Sequence, residues 1–351
     1  MSIAEPIHAP RAACLSEASI ARCATDLHDV LTLAIEHNPA AQRALIVADR
    51  GCPLSETLTE AYRRCLPTAQ VIDFEAMPAA SILAAFAALS PHDLVVLIQS
   101  SNFRLDAYRI RVELFKRGLK VIEHPHLGRM IGDEALIYLD ALAYDRDYYR
   151  GTGLALKARI DRATSACIDS DGALLHFGAL EPAKINLGDY RGMANVGGQF
   201  PIGEVFTEAR DLHSVHGAVR LFVFGDTAFA VNRPPSPITL HIKAGKVTAV
   251  ENSTTAFDQV LANIRADEGE VWLRELGFGM NRALSASRRV SDIGTFERMC
   301  GIHLSLGAKH GVYAKPGFKR GAGRHHVDVF AATRAVFIDA ENVFQDGRWL
   351  V

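Results

Sequence analysis

The chain reads as an α/β plus α+β protein: an N-terminal Rossmann-like parallel-sheet domain over residues 1–150, then a β-rich domain over residues 151–351. Three observations predict this. Apolar runs without polar alternation recur in the first part, separated by segments of helical period. Past about residue 145 the pattern changes to short strands, glycines and turn pairs. At 351 residues the chain is also longer than one ordinary core accommodates.

In the first part, Ala44–Ala48, Val71–Phe74, Asp93–Gln99 and Lys120–Glu123 read as strands buried on both faces. Helical patterns at Ser55–Cys65, Ala79–Ala88 and Leu105–Arg117 lie between them, and Gly118 after Lys116-Arg117 is a helix stop. Strand–helix alternation implies βαβ units and a parallel sheet. A helical stretch over Asp133–Asp145 precedes the domain boundary, placed near 148–165.

In the second part, Ile238–Ile242 and Val247–Glu251 flank Lys243-Ala244-Gly245-Lys246 and predict a hairpin. Residues 255–266 read as one amphipathic helix. Ala335–Asp339 and Trp349–Val351, the latter after Asp346-Gly347, predict a terminal hairpin. Gly151-Thr152-Gly153 and Gly277-Phe278-Gly279 each hold a GxG that does not complete a dinucleotide fingerprint, and both read as turns. The chain has no GxSxG elbow and no P-loop.

Lysine plus arginine number 38 against 40 acidic residues, a formal charge of −2. That balance offers no electrostatic footprint for nucleic acid or an anionic membrane, and neither partner is expected. Six cysteines without a CxxC pair point to a reduced, cytoplasmic setting. The N-terminus lacks the charged and apolar regions of a signal peptide, and no apolar run approaches membrane-spanning length.

The residues that carry chemistry lie in the second part. Metal sites need several Asp, Glu or His side chains converging in deprotonated form. Glu204 opens a strand just after Pro201, and Glu275 stands before Gly277 and Gly279, which let a ligand or backbone approach closely. His303 lies in the apolar stretch from Gly301 to Gly307. His326 and Asp328 are two apart, so in a strand they share a face. Glu297, six residues before His303, offers another carboxylate. Each fragment is commonplace alone; their order is not.

That order resembles the thermophilic metallo-aminopeptidase family, typified by aminopeptidase S and aminopeptidase T. The resembling stretches are GEVFTEARDLHSVHG at 203–217, RELGFGMN at 274–281, ERMCGIHLSLGA at 297–308 and HHVDVF at 325–330. The resemblance implies a metal-dependent hydrolase that cleaves the N-terminal residue from a peptide or aminoacyl amide, with the site in the cleft between two domains. It also implies a homodimer, a pair of zinc, cobalt or manganese ions, and Glu204, Glu275, His303, His326 and Asp328 as ligands. Glu297 falls near another of the family's carboxylates. Glu275 is the expected bridging ligand.

Two departures bear on catalysis. His310 stands where the family has a tyrosine, and His216 where it has an asparagine in its SVNG turn. These two histidines are the candidate catalytic residues. The superfamily also contains 2,5-dihydroxypyridine 5,6-dioxygenase, a ring-cleaving enzyme with a single iron(II), which this chain resembles in length and in its C-terminal half. That gives the alternative expectation, although Glu275 falls where a third, histidine ligand would be; a repurposed biosynthetic family member is a third reading. His213 near the cavity, His124 and His126 after the last N-terminal strand, and Lys315, Lys319 and Arg320 before His326 are further candidates, each equally readable as loop residues. Arg274 reads as structural.

Overall fold

The computed structural model describes residues 13–105, 108–227, 229–315, 318 and 323–351. The expectations for Lys319, Arg320 and the extreme N-terminus fall outside them. Two compact units emerge, the first built from residues 1–144 with 188–201, the second from 145–187 with 202–351.

The first unit holds a five-stranded parallel sheet in the order Gln70–Asp73, Ala44–Ala48, Leu94–Ile98, Lys120–His124, Val196–Gln199. Four of these strands match the sequence reading. The fifth comes from a segment assigned to the second domain and is marked by little more than Gly197 and Gly198, so periodicity did not reveal it. A Cβ on Gly197 would meet the Val121 carbonyl oxygen at 1.9 Å, so only glycine lets this strand approach its neighbour. Continuous apolar runs are explained by burial on both sides. Leu45, Val47, Val95, Leu97 and Val121 pack with Ile82, Phe86 and Leu114 from the helices Ala79–Ala87 and Ile110–Lys116. Ile46, Val96 and Ile122 alternate with them and are fully buried too. Pro53–Cys65 also packs on the sheet, and Glu17–Asp29, capped by Ser16, packs on Pro53–Cys65.

His124, considered above as a cleft or loop residue, is instead part of this core. Tyr62 donates to its Nε2 at 2.8 Å, and its Nδ1 lies 2.7 Å from the Tyr138 hydroxyl, which donates to the Phe200 carbonyl. This chain of bonds assigns the proton to Nδ1. His126 takes a left-handed backbone at φ 56° ahead of a short 3-10 turn.

In the second unit, the named strands pair antiparallel among the described residues. The sheet runs Arg348–Trp349, Glu341–Gln345, Ala335–Ile338, Ala166–Ser170, Ala173–Phe177, His216–Gly225, Val327–Ala331, Gly301–Leu306, Leu273–Gly279, Glu204–Glu208, Lys184–Asn186. The expected hairpin forms from Ile238–Lys243 and Lys246–Glu251, with Ala244 at φ 50° and Gly245 at φ 76° in the turn. The helix Thr255–Glu268 matches its pattern.

Three local readings change. Gly151-Thr152-Gly153 is not a turn but lies inside the helix Arg146–Ile160, started by the Asp145 side chain on the Tyr148 amide. Gly153 lets that helix sit against Leu187, whose Cδ1 would be 2.4 Å from a Cβ there. Gly277-Phe278-Gly279 is not a turn either; it completes the strand Leu273–Gly279. At the C-terminus, Trp349 pairs with Phe344 rather than with Ala335–Asp339. The intervening strand Glu341–Gln345 follows a turn at Asp339-Ala340 that has positive φ at both residues and no glycine to announce it.

No helix among the described residues is long and apolar enough to cross a membrane.

Full burial holds the His124 imidazole down at about 3, below its ordinary 6.5. The unfolded chain therefore takes up a proton that the folded chain refuses, and stability falls as pH drops from 6.5 toward about 3. Urea unfolding followed across that range should show this slope for the wild type and a slope shallower by one proton for His124→Gln.

Candidate metal centre

The strands Glu204–Glu208, Leu273–Gly279, Gly301–Leu306 and Val327–Ala331 lie side by side, and their register aligns the candidate residues. Glu204 stands opposite Gly279, and Gly279 opposite Gly301. Gly277 stands opposite His303, and Ser305 opposite Asp328. Residues directly opposite share a face of the sheet, so Glu204, His303 and Asp328 point to one side. Glycines fill the positions between them, and His303 shows why. A Cβ on Gly277 would sit 2.0 Å from His303 Nε2, so the imidazole lies over a strand position that must stay bare.

A bulge between Leu273 and Leu276 adds one residue to that strand. It lets the adjacent Arg274 and Glu275 find separate partners although both are buried. Arg274 pairs with Glu208, donates to the Ala308 carbonyl at 2.8 Å, and lies over the Phe318 ring. Glu275 turns to the histidines.

Glu204, Glu275 and His303 each offer one ligand atom, and those atoms all lie within 4.8 Å of one another. His303 Nε2 is 3.2 Å from Glu204 Oε1 and 3.4 Å from Glu275 Oε1. His310 Nε2 reaches Glu275 Oε2 at 3.1 Å, so both oxygens of Glu275 face imidazoles. On the next strand Asp328 Oδ1 lies 3.1 Å from Nε2 of His326, the residue just before that strand. Arg298 and Glu297, in the turn after the short helix Ile293–Phe296, close the group. Arg298 Nη1 lies 2.8 Å from oxygens of both Glu204 and Glu297.

Both ring nitrogens of His303, Nε2 of His310 and Oδ1 of Asp328 are buried, and their nearest neighbours fail hydrogen-bond geometry. A core histidine is normally satisfied through both nitrogens, as His124 is. Orphaned donors converging with carboxylates are what a bound cation would complete, so the residues present fit a divalent ion.

The charges of the group respond to one another. Burial alone would hold His303 neutral, yet Glu204 and Glu275 outweigh it and raise the imidazole to about 10. His326 is likewise raised to about 10 against burial, chiefly by Asp328. Burial pushes Glu275 up, but the His303 and His310 imidazoles facing its two oxygens bring it below the carboxylate range. Glu297 goes the other way: burial and the Asp328 charge raise it well above its ordinary value.

The structure thus brings together Glu204, Glu275, His303 and His310, with Asp328 on the adjoining strand and His326 just before it. It does not bring His216. That histidine opens the strand His216–Gly225, stacks its ring on His176 and sets Nδ1 3.0 Å from the Ser214 carbonyl. Gly225, at the far end of the same strand, is the residue that abuts Asp328. Nine residue steps separate them, roughly 30 Å of extended chain. His213 is exposed and packs edge-on against Trp272. Lys315 is buried and engaged by the Glu181 carboxylate and the Arg210 carbonyl. Arg298 had no signal in the sequence beyond its place beside Glu297.

The chain shares its fold with wild-type AmpT from Thermus thermophilus, an aminopeptidase T, at a TM-score of 0.58 and 14% identity, over 94% of this chain and 99% of that one. No protein-family model matches the chain, and no curated protein matches it. At that identity the likeness concerns the fold, and chemistry has to be argued from the site.

Gly277→Ala is expected to displace the His303 ring and cost about 1–3 kcal/mol, as overpacking does. Thermal unfolding of the variant beside Gly151→Ala, at a position with open space around it, checks this.

Proposed function

We propose that the chain is a divalent-metal-dependent hydrolase of aminopeptidase type, acting on the N-terminal residue of a peptide or on an aminoacyl amide. The observation that carries this reading is the convergence of Glu204, Glu275 and His303 within 4.8 Å. Glu204, Glu275 and His303 would hold the ion, with Asp328 on the adjoining strand and His326 just before it completing its surroundings. A divalent ion there supplies a Lewis acid that polarises a carbonyl and brings the pKa of bound water toward neutrality. Two carboxylates among three donors suit a hard or borderline ion such as zinc, cobalt or manganese. The fold shared with AmpT agrees with this reading.

The remaining step belongs to the protein. Hydrolysis of an amide needs a group that takes a proton from the attacking water and returns one to the leaving amine. His310 Nε2 is buried, lacks a hydrogen-bond partner and sits 3.1 Å from Glu275 Oε2. Because the Val312 amide donates to Nδ1, the neutral imidazole carries its proton on Nε2, which would pass to the leaving amine while a carboxylate of the group takes the proton of the attacking water. His216 has no part in it.

One observation favours a second reading. With His310 in the group, His303, His310 and Glu275 make two imidazoles and a carboxylate, the donor set of non-haem iron(II) oxygenases. A ring-cleaving iron(II) dioxygenase is therefore the alternative.

His310→Gln separates the two. In a hydrolase it should lower kcat for an aminoacyl amide by on the order of 10²–10⁴ and leave metal content intact. In an iron oxygenase it should lose the metal. Elemental analysis of protein purified without chelator, with amide hydrolysis and oxygen uptake measured on the same sample, reads both. Glu275→Ala should abolish activity and metal binding under either reading; a variant that keeps both sinks the assignment of this centre.

A further inference from the structure

Arg298 holds a place among the carboxylates that the mechanism above does not use. Its Nη1 lies 2.8 Å from Glu204 Oε2 and 2.8 Å from Glu297 Oε2, and its side chain is 8% exposed. One cationic atom shared by oxygens of a buried and a half-buried carboxylate is the arrangement a metal ion adopts when carboxylates bridge it to a neighbour. We infer that Arg298 is the site's built-in second cation, so that the centre takes one divalent ion per chain and not a pair. The inference rests on the metal-centre reading of the preceding subsection.

Three lines of reasoning carry it. The first is permanence: a guanidinium does not deprotonate in proteins, so this positive charge cannot be withdrawn to admit a second ion. Swinging the side chain away would leave Glu204 and Glu297 without their partner in a buried setting, a costly change.

The second is the donor inventory. Glu204 turns Oε1 to His303 at 3.2 Å but commits Oε2 to Arg298. It therefore cannot bridge two ions. Glu275 keeps both oxygens toward imidazoles, and with His303 and Glu204 Oε1 it makes one complete set. A second set would draw on Asp328, His326 and Glu297, and Glu297 is already engaged by the guanidinium.

The third is repulsion. Paired ions in two-metal sites stand about 3.5–4 Å apart. A second dication drawing on Glu204 or Glu297 would lie beside a fixed positive charge in an interior that screens it poorly.

Counting bound ions tests this without relying on activity. Chelator-treated full-length protein is titrated separately with Mn²⁺ and Zn²⁺, and the folded species is counted by native mass spectrometry, with elemental analysis as a check. The wild type and R298K, which keeps a cation, are expected to saturate at one ion per chain. R298M, which replaces the guanidinium with an apolar chain, is expected to take up two at the same free metal concentration. Two ions on the wild type, or one on folded R298M, overturns the inference and leaves the metal-centre reading standing. No ion on the wild type overturns both. If R298M does not fold, E297Q decides. It removes the carboxylate charge beyond Arg298 and should still bind one ion, and binding of none or of two overturns the inference.

Discussion

The constraint on which this site depends is charge. Glu204, Glu275, Asp328 and the half-buried Glu297 share one poorly hydrated region of the second unit. Ionised carboxylates so placed repel one another and lose hydration, so positive charge has to accompany them. Arg298 supplies one permanent charge. The imidazoles of His303 and His326, both raised to about 10, supply protons where no ion stands. Glu297 relieves the remainder by moving toward its neutral form. A metal that enters such a group exchanges for protons, so donor geometry and proton content are two aspects of one requirement.

The sheet meets that requirement by keeping a face clear. Bare positions at Gly277, Gly279 and Gly301 lie between the donor-bearing positions on antiparallel neighbours. The space over Gly277 holds the His303 ring. The bulge at Arg274-Glu275 sorts two adjacent buried charges into different networks, one closed on Glu208 and one open to the histidines. The Arg274–Glu208 pair is buried with an arginine that cannot relocate, and it fixes the backbone from which Glu275 projects. Structural and chemical charges thus differ by a single residue along the chain.

What the sequence disclosed follows the range of the interactions involved. Parallel strands buried on both faces write themselves as apolar runs, which made Ala44–Ala48, Leu94–Ile98 and Lys120–His124 legible, whereas the edge strand Gln70–Asp73 is only partly buried. Val196–Gln199 was not legible, because two of its four residues are glycines selected for close backbone approach and carry no hydrophobic pattern. The Asp339-Ala340 turn escaped because positive φ at two non-glycine residues leaves no mark in composition. At the site, Glu204, Glu275 and His303 were readable because their glycine neighbours are a local consequence of ring and backbone crowding. His216 shows the limit of such reading. Its turn sits in the right order along the chain, yet order does not fix distance, and a ten-residue strand carries it away from the centre. His310 follows the His303 strand closely enough for its Nε2 to reach Glu275.

Arg298 was missed for a different reason. A search for metal ligands asks which side chains donate electron pairs, and an arginine donates none. Yet the number of positive charges a cluster of carboxylates accepts is bounded by all the cations present, resident or bound. Glu204 and Glu297 look in sequence like two free carboxylates. In the structure one oxygen of each is already committed to a guanidinium. Counting donors alone would therefore assign this centre more metal than its charge admits. The same fixed cation draws Glu204 Oε2 away from the cluster and leaves Oε1 facing His303, so its positioning of that carboxylate and its limit on further cations are consequences of one ion pair.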